Sequence, residues 1–573
     1  MDTYMIPTSA KEVKALGWDY IDVILFTGDA FIDHPSFGTA VIARWLQKHG
    51  YRVAVVPQPN WRDDLRDFRK LGTPRLYFGV NSGAMDSMVN HYTAAKRLRS
   101  DDAYTPEGKA GQRPDYAVTV YTRILKEIYP DVPVVIGGIE ASLRRVSHYD
   151  YWQDCIKPSI LVESGADWLC YGMGERTMLE FTRAIEAGRN VSDIRKIPQL
   201  AFYMDGRTKL KDAVILNSYE RCCKDKIAFA ENFHVIETYA NMLQPPVLVE
   251  PVGGGYVQIN PTWPPATQEE MDSFWDLPFT KLPHPRYKGK HIPAFEMIKF
   301  SINTHRGCFG GCNFCTIAAH QGKFIQSRSE DSIIKEITAL NALPGFAGNI
   351  SDVGAPTANM YGMKGKNHEL CSKCRRKSCL FPAPCKNMDR SHERLLKLYA
   401  RIASVKGIRH AYIGSGIRYD LFLDEKGFVD ETSYPYLKEL ILEHTSGRLK
   451  VAPEHTEDSV LKLMAKPSFR LFERLRLEFD QIVRSSGRKC ELVPYFISGH
   501  PGCGMREMQR LARNPALKGL YMDQVQDFTP TPMTTSSVMF YTGLDPKNMQ
   551  KLFVERDIER KKEQKSFFFR RGK

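Results

Sequence analysis

Residues 21–26, IDVILF, form an unbroken apolar run after a polar lead. A loop, TGDAFIDHPSFG, follows, and TAVIARWLQKHG then repeats its apolar residues at helical spacing and stops at Gly50. The next run, YRVAVVPQP, is apolar on successive residues, as a strand buried on both faces is. Strand, loop, helix, strand is the unit of a doubly wound parallel sheet. RLYFGV (75–80), the helix YAVTVYTRILKEIYP, the strand VPVVIGGIEAS (132–142) and ADWLCYGMGERTMLEFTRAIEAG (166–188) continue it, so residues 1–190 are expected as one Rossmann-like domain. Ligands of such sheets bind beyond the carboxyl ends of the strands, which puts the loops Gly28 to Gly38, Asn81 to Ala84, Gly137 to Glu140 and Gly172 to Glu175 on one rim.

Between 191 and 295 the α/β rhythm lapses into Pro- and Gly-rich stretches such as LQPPVLVEPVGGGYVQINPTWPPA, expected as an irregular but ordered strap. A second series begins at FSINTHRG and runs through GNISDVGAPTANMYG, HAYIGSGIRYDLF, SGRLKVAPEHTEDSVLKLM, KCELVPYFISGHPG and GLYMDQVQDFTPTPMT. Strands at this spacing, each followed by a polar or Gly/Pro loop, suggest a partial (β/α)₆ TIM-like barrel over 296–540. Residues 541–573 are a basic tail expected to be helical and then frayed.

The N-terminus carries charges where a signal peptide is apolar, and no run approaches the roughly 18 apolar residues of a membrane span, so a cytoplasmic protein without a membrane partner is expected. The net charge of +14 permits an RNA partner without demanding one, because a solvated basic surface explains it equally well. Thirteen cysteines in 573 residues are too dilute and odd in number for a disulfide framework.

Three of them stand in CFGGCNFC, residues 308–315. A closed zinc site wants four protein ligands. Cys308, Cys312 and Cys315 supply three, and completion by His305 or His320 is the structural alternative. The spacing, with Phe314 before the third cysteine, is the signature of the radical S-adenosylmethionine (radical SAM) superfamily. There three thiolates hold three irons of a [4Fe-4S] cluster and leave the fourth open. The resemblance implies that S-adenosylmethionine binds the open iron and is cleaved reductively to a 5′-deoxyadenosyl radical that modifies a substrate. It also implies an electron donor such as flavodoxin or ferredoxin.

The front half resembles the cobalamin-binding-like domain that often precedes a radical SAM core, with GGIEAS and YGMGER as counterparts of its strand ends. Where a base-off cobalamin binder carries Asp-x-His-x-x-Gly, this chain reads DHPSFG, with Asp33 and His34 adjacent and Gly38 too far. The break argues against cobalamin. From GDAFIDHPSFG through DFTPTPMT to YTGLDP the chain resembles the YgiQ family of radical SAM proteins, and within the core also methylthiotransferases, although no small RNA-binding β-barrel is apparent after residue 540.

By position in the core, Asp352 to Met360, with Thr357 and Asn359, are expected to cradle the methionyl amino group. Ser415 and Arg418 are candidates for its ribose or carboxylate. Glu454 and His455 are candidate proton carriers. Each has a plain alternative, Arg418 as the partner of Asp420 and His455 as a satisfied loop residue among them. A second set, Cys371, Cys374, Cys379 and Cys385, lies in an insertion at 368–390, where Arg375, Arg376 and Lys377 are expected to lower the thiol pKa values. Four thiolates suit tetrahedral zinc or an auxiliary iron–sulfur cluster, and a structural site that shapes the rim is expected, zinc ahead because nothing in the spacing demands iron. Two function classes follow: a radical SAM enzyme of unidentified substrate, with an RNA- or ribosome-modifying methylthiotransferase-like activity as one variant, and a non-catalytic iron–sulfur redox or binding protein.

Overall fold

The computed structural model describes residues 5–206, 212–522 and 524–569. Its front half is built on a nine-stranded sheet. The strands are β1 (Val23–Thr27), β2 (Val53–Pro57), β3 (Tyr77–Asn81), β4 (Val134–Ile136), β5 (Trp168–Cys170), β6 (Leu200–Asp205), β7 (Val214–Ile215), β8 (Leu248–Val252) and β9 (Gly255–Ile259), in the spatial order β2-β1-β3-β4-β5-β6-β9-β8-β7. The first five are mutually parallel, with Val23 paired to both Val53 and Tyr77. Every residue of β1 and β2 is buried, as the unbroken apolar runs require.

Alternate residues of β1 enter different cores. Val23 and Leu25 pack with Trp45 and Leu46 of helix α1 (Gly38–Lys48) and with Phe181 of α3 (Glu175–Glu186). Ile24 and Phe26 pack on the other face with Val118, Tyr121 and Leu125 of α2 (Ala117–Ile128). The α/β reading of the sequence therefore holds at the level of a large, mostly parallel sheet with a core on each face.

Residues 191–295 depart from the expected irregular strap, because β6 to β9 extend the same sheet. β6 runs antiparallel to β5, and β8 and β9 form a hairpin. The Gly253–Gly254 pair hides that hairpin from a reading that takes glycine as a linker signal: both adopt positive φ, which a tight hairpin turn demands. The remainder of this region does act as a strap, since Phe274, Trp275 and Tyr287 close the core beside α1 and α3.

In the second half β10 (Ser301–Asn303) pairs with β11 (Asp352–Gly354), and β12 (Arg448–Glu454), β13 (Glu491–Ser498) and β14 (Gln524–Asp527) form a parallel triplet. Asn349–Ile350 pairs in parallel with His410–Ala411. These short parallel sets are interleaved with helices, including Glu330–Leu340, Glu393–Ala403, Ser433–Glu443 and Phe469–Ser486, around one core. The expected third strand is far shorter than HAYIGSGIRYDLF, because Gly414 and Ser415 turn their backbone N–H groups onto the Asp352 carboxylate and leave the ladder.

The C-terminal segment is packed rather than frayed over its described residues. Thr535–Thr542 is largely buried, and Ile558–Ser566 leads Phe568 into the core, where its ring lies 5.3 Å from that of Phe496. No helix among the described residues is long and apolar enough to cross a membrane.

Candidate functional site

The loop 307–316 leaves β10 through His305–Arg306, which pairs antiparallel with Gln326–Ser327 and so fixes its base. Gly307 has φ +89°, and a side chain there would strike the Phe324 carbonyl. Cys308, Cys312 and Cys315 then line one cavity together with Gly311 and Lys377. Burial pushes the Cys308 thiol up and the Cys315 thiol up to about 12. Deprotonated sulfur here needs a cationic partner such as a metal centre.

Arg418 lies against this loop. Its Nη1 donates to Cys312 Sγ at 3.2 Å, while Nε and Nη2 grip Asp420 at 2.9 and 2.5 Å. Burial alone would raise the Asp420 pKa; the guanidinium more than offsets it and holds the carboxyl below its usual range. With its fork on Asp420, the pairing that the sequence offered as the alternative, Arg418 turns its remaining nitrogen to a sulfur. Asn359 holds the Arg418 backbone from both sides, accepting from its N–H and donating to its carbonyl, each at 2.9 Å. Thr357 Oγ1 lies 3.4 Å from Cys308 Sγ.

Asp352 is tied to Ser415 through the backbone and hydroxyl, and burial raises its pKa. Glu454, in a left-handed conformation at φ +69°, is buried 3.7 Å from Lys466, and burial raises its pKa. His455 accepts from the Glu457 N–H and meets Cys503 Sγ at 3.4 Å, and burial drives its pKa down to about 3. It is a satisfied internal histidine, and neither it nor Glu454 lines the large cavities. Phe314 bridges two hydrophobic cores and presents its ring edge to His500.

Among the described residues no three or more His, Cys, Asp or Glu side chains are gathered closely enough for one metal ion. His305 and His320 do not line the triad's cavity; both line the larger cavity between the halves, where His305 Nδ1 meets Thr304 Oγ1 and His320 Nδ1 meets Ser142 Oγ. The second set reads differently from expectation. Burial raises the Cys371 and Cys379 pKa values; Lys323 and Arg376 do pull that of Cys379 down, and Lys323 that of Cys371, but burial outweighs them. Backbone turns nonetheless bring these cysteines together in pairs, Cys374 N–H donating to the Cys371 carbonyl at 3.1 Å and Cys385 N–H to the Cys379 carbonyl at 2.7 Å.

Sequence reasoning missed the role of Lys377. Its Nζ donates to Asn313 Oδ1 and Thr535 Oγ1, each at 2.6 Å, and to Glu237. One ammonium thereby joins the cysteine loop, the C-terminal segment and the front half. Nothing in a run of Arg, Arg, Lys distinguishes the one that turns inward.

Between the halves lies a cavity of about 500 Å³. Its front wall carries all four loops expected on the sheet rim, through residues such as Ser36, Asn81, Gly137 and Gly172. Its rear wall carries Thr316, Ile317, Ala355 and Ser415, beside the cysteine loop. A buried ion pair, Arg306 Nη2 to Glu175 Oε1 at 2.5 Å, spans the two walls. A second cavity of about 810 Å³ reaches Phe314 from between the loop at 84–104 and the end of β14.

The sequence matches the family described as Radical SAM N-terminal over residues 5–301, and a domain of unknown function (DUF3362) over 523–571. A UPF0313 protein of Bacteroides thetaiotaomicron is 51% identical over 99% of this chain and 94% of its own length. A UPF0313 protein of Methanocella arvoryzae is 44% identical, covering 96% and 90%. The UPF0313 protein YgiQ of Escherichia coli K12 is 42% identical, covering 94% and 80%. Among solved structures, the radical S-adenosylmethionine methyltransferase TsrM of Kitasatospora setae, with cobalamin and a [4Fe-4S] cluster bound, gives a TM-score of 0.48 at 16% identity, covering 90% of this chain and 77% of that one.

Proposed function

The chain belongs to the UPF0313 family of radical SAM proteins that includes YgiQ, and on that premise we propose that it is an enzyme that cleaves S-adenosylmethionine reductively and uses the radical on an unidentified substrate. The observation that carries the reading is the convergence of Cys308, Cys312 and Cys315 on one cavity, with Arg418 donating to Cys312. The three thiolates would hold a [4Fe-4S] cluster. Bound there, the cluster and S-adenosylmethionine supply a 5′-deoxyadenosyl radical, chemistry that belongs to the cofactors.

The protein's own share is charge, orientation and exclusion of water. Arg418 sets a hydrogen bond on one ligating sulfur, a feature that tunes a cluster's potential. Ser415, held by Asp352, faces the 500 Å³ cavity where the methionyl and ribose groups would lie. Of the two candidate proton carriers, Glu454 is the one whose pKa burial raises, so that it holds a proton more readily, while burial keeps His455 neutral. Two large cavities flanking the triad favour an enzyme over a cluster carrier, which would need neither.

We read the front sheet as cobalamin-binding-like in layout but without a lower-axial histidine. His34 is buried, its Nδ1 accepts from the Ser36 N–H, and burial drives its pKa down to about 3. For the second thiol set we propose a metal site, zinc or an auxiliary cluster, on the backbone turns that bring Cys371 to Cys374 and Cys379 to Cys385. The test of the main reading is anaerobic reconstitution followed by dithionite and S-adenosylmethionine. One oxygen-sensitive cluster and 5′-deoxyadenosine are expected; a triple Cys308, Cys312, Cys315→Ala variant that kept both would sink it.

A further inference from the structure

The segment 364–390 carries eight lysines and arginines against two acids, a net +6 of the chain's +14. Lys364, Lys366, Arg375 and Lys386 are exposed, and no ionic partner is found for them among the described residues. Lys364, Lys366 and Lys386 sit together. Gly365 bridges Met388 antiparallel, Lys366 N–H donates to the Asn387 carbonyl, and Asp389 N–H donates to the Lys364 carbonyl. Leu370, 60% exposed, adds an apolar element to the same insertion.

The inner side of the insertion lies directly on the triad loop. Cys379 N–H donates to the Phe309 carbonyl at 3.0 Å, Ser378 Oγ donates to the Gly310 carbonyl at 2.7 Å, and Leu380 packs with Phe309. No residue of 364–390 lines either large cavity. The exposed patch therefore covers the cluster loop, and of the segment only Lys377, which turns inward, lines the cavity of the triad. A macromolecular substrate bound on it would not thereby reach the cavities. A partner that delivers only an electron needs proximity to the cluster and nothing else.

We infer that residues 364–390 are the docking surface for an acidic electron-transfer protein that reduces the cluster. The inference rests on the radical SAM reading proposed above. Charge complementarity of this kind acts chiefly on the encounter rate and is screened by salt.

The experiment compares the full-length, cluster-loaded protein with its Lys364→Glu, Lys366→Glu, Lys386→Glu variant, measuring 5′-deoxyadenosine formation driven either by reduced flavodoxin or by dithionite. The expected result is a flavodoxin-driven rate lower by about tenfold or more at low salt, a gap that closes near about 0.5 M salt, and a dithionite-driven rate unchanged. An unchanged flavodoxin-driven rate overturns the inference, as does an equal fall in both rates. Loss of tRNA binding with flavodoxin-driven turnover intact overturns it in favour of a nucleic-acid surface. If dithionite yields no 5′-deoxyadenosine even with the unaltered protein, the enzyme reading fails separately. Salt-sensitive binding of flavodoxin, lost in the variant, then supports the surface on its own, and no such binding overturns it.

Discussion

Arg418 uses both edges of its guanidinium at once, Nη1 on the Cys312 sulfur at 3.2 Å and the Nε–Nη2 fork on Asp420 at 2.9 and 2.5 Å. The carboxylate fixes the plane of the cation, and the cation fixes a sulfur. Replacing Arg418 with Gln leaves a buried Asp420 without its cation, an expected loss of about 3–5 kcal/mol. A lower melting temperature and faster loss of iron from reconstituted protein are the readouts. The Arg418→Gln, Asp420→Asn double variant is expected to recover part of the melting temperature and none of the iron retention. Iron retention equal to that of the unaltered protein would remove Arg418 from the site.

Lys377→Met breaks three hydrogen bonds and leaves Glu237 without its ammonium. About 2–3 kcal/mol of stability is expected to go, together with the register of the cysteine loop at Asn313. The measurement is the half-life of the cluster absorbance in air. A half-life unchanged by Lys377→Met shows that Lys377 does not hold the loop.

His392, His455 and His500 are kept neutral by burial, with pKa values driven down to about 3, 3 and 4. Unfolded histidine binds its proton near pH 6.5. Below that pH the unfolded chain therefore holds protons that the fold refuses. Their contribution is complete above about pH 6.5 and falls as pH drops toward 3, at up to about 1.4 kcal/mol per pH unit for each. Melting curves at pH 7.5 and 5.5 should differ, with the lower temperature at 5.5. His455→Gln should narrow the gap; a gap of the same size would exonerate that histidine.

Phe568→Ala should cost about 3–5 kcal/mol, because the ring is 1% exposed and packs on Phe496 under β13. Denaturant unfolding measures it directly. A change below about 0.5 kcal/mol, the scale of an ordinary surface substitution, would mean that the C-terminal segment is the loose tail its composition suggests.

The sequence by itself determined the elements whose pattern is local. IDVILF, YRVAVVPQP and RLYFGV became β1, β2 and β3 within two residues at each start, since a strand buried on both faces leaves no polar position to confuse the period. The triad's spacing and its glycines were equally legible, because a short loop must carry its own conformational requirements. Tertiary structure alone decided what depends on distant partners. The strands at 200–259 join the front sheet because hydrogen-bonded edges find one another across sequence, a fact that Pro and Gly composition cannot encode. The sequence left open whether Arg418 pairs with Asp420 and whether His455 is a satisfied loop residue, and the packing around each strand end turns them to Asp420 and Cys503, because a side chain's direction follows from that packing. Lys377 turned inward and its neighbours outward for the same reason. Charge can be counted along a chain, but which charges meet an acceptor and which are left facing solvent is settled only when residues hundreds apart are brought within three ångströms.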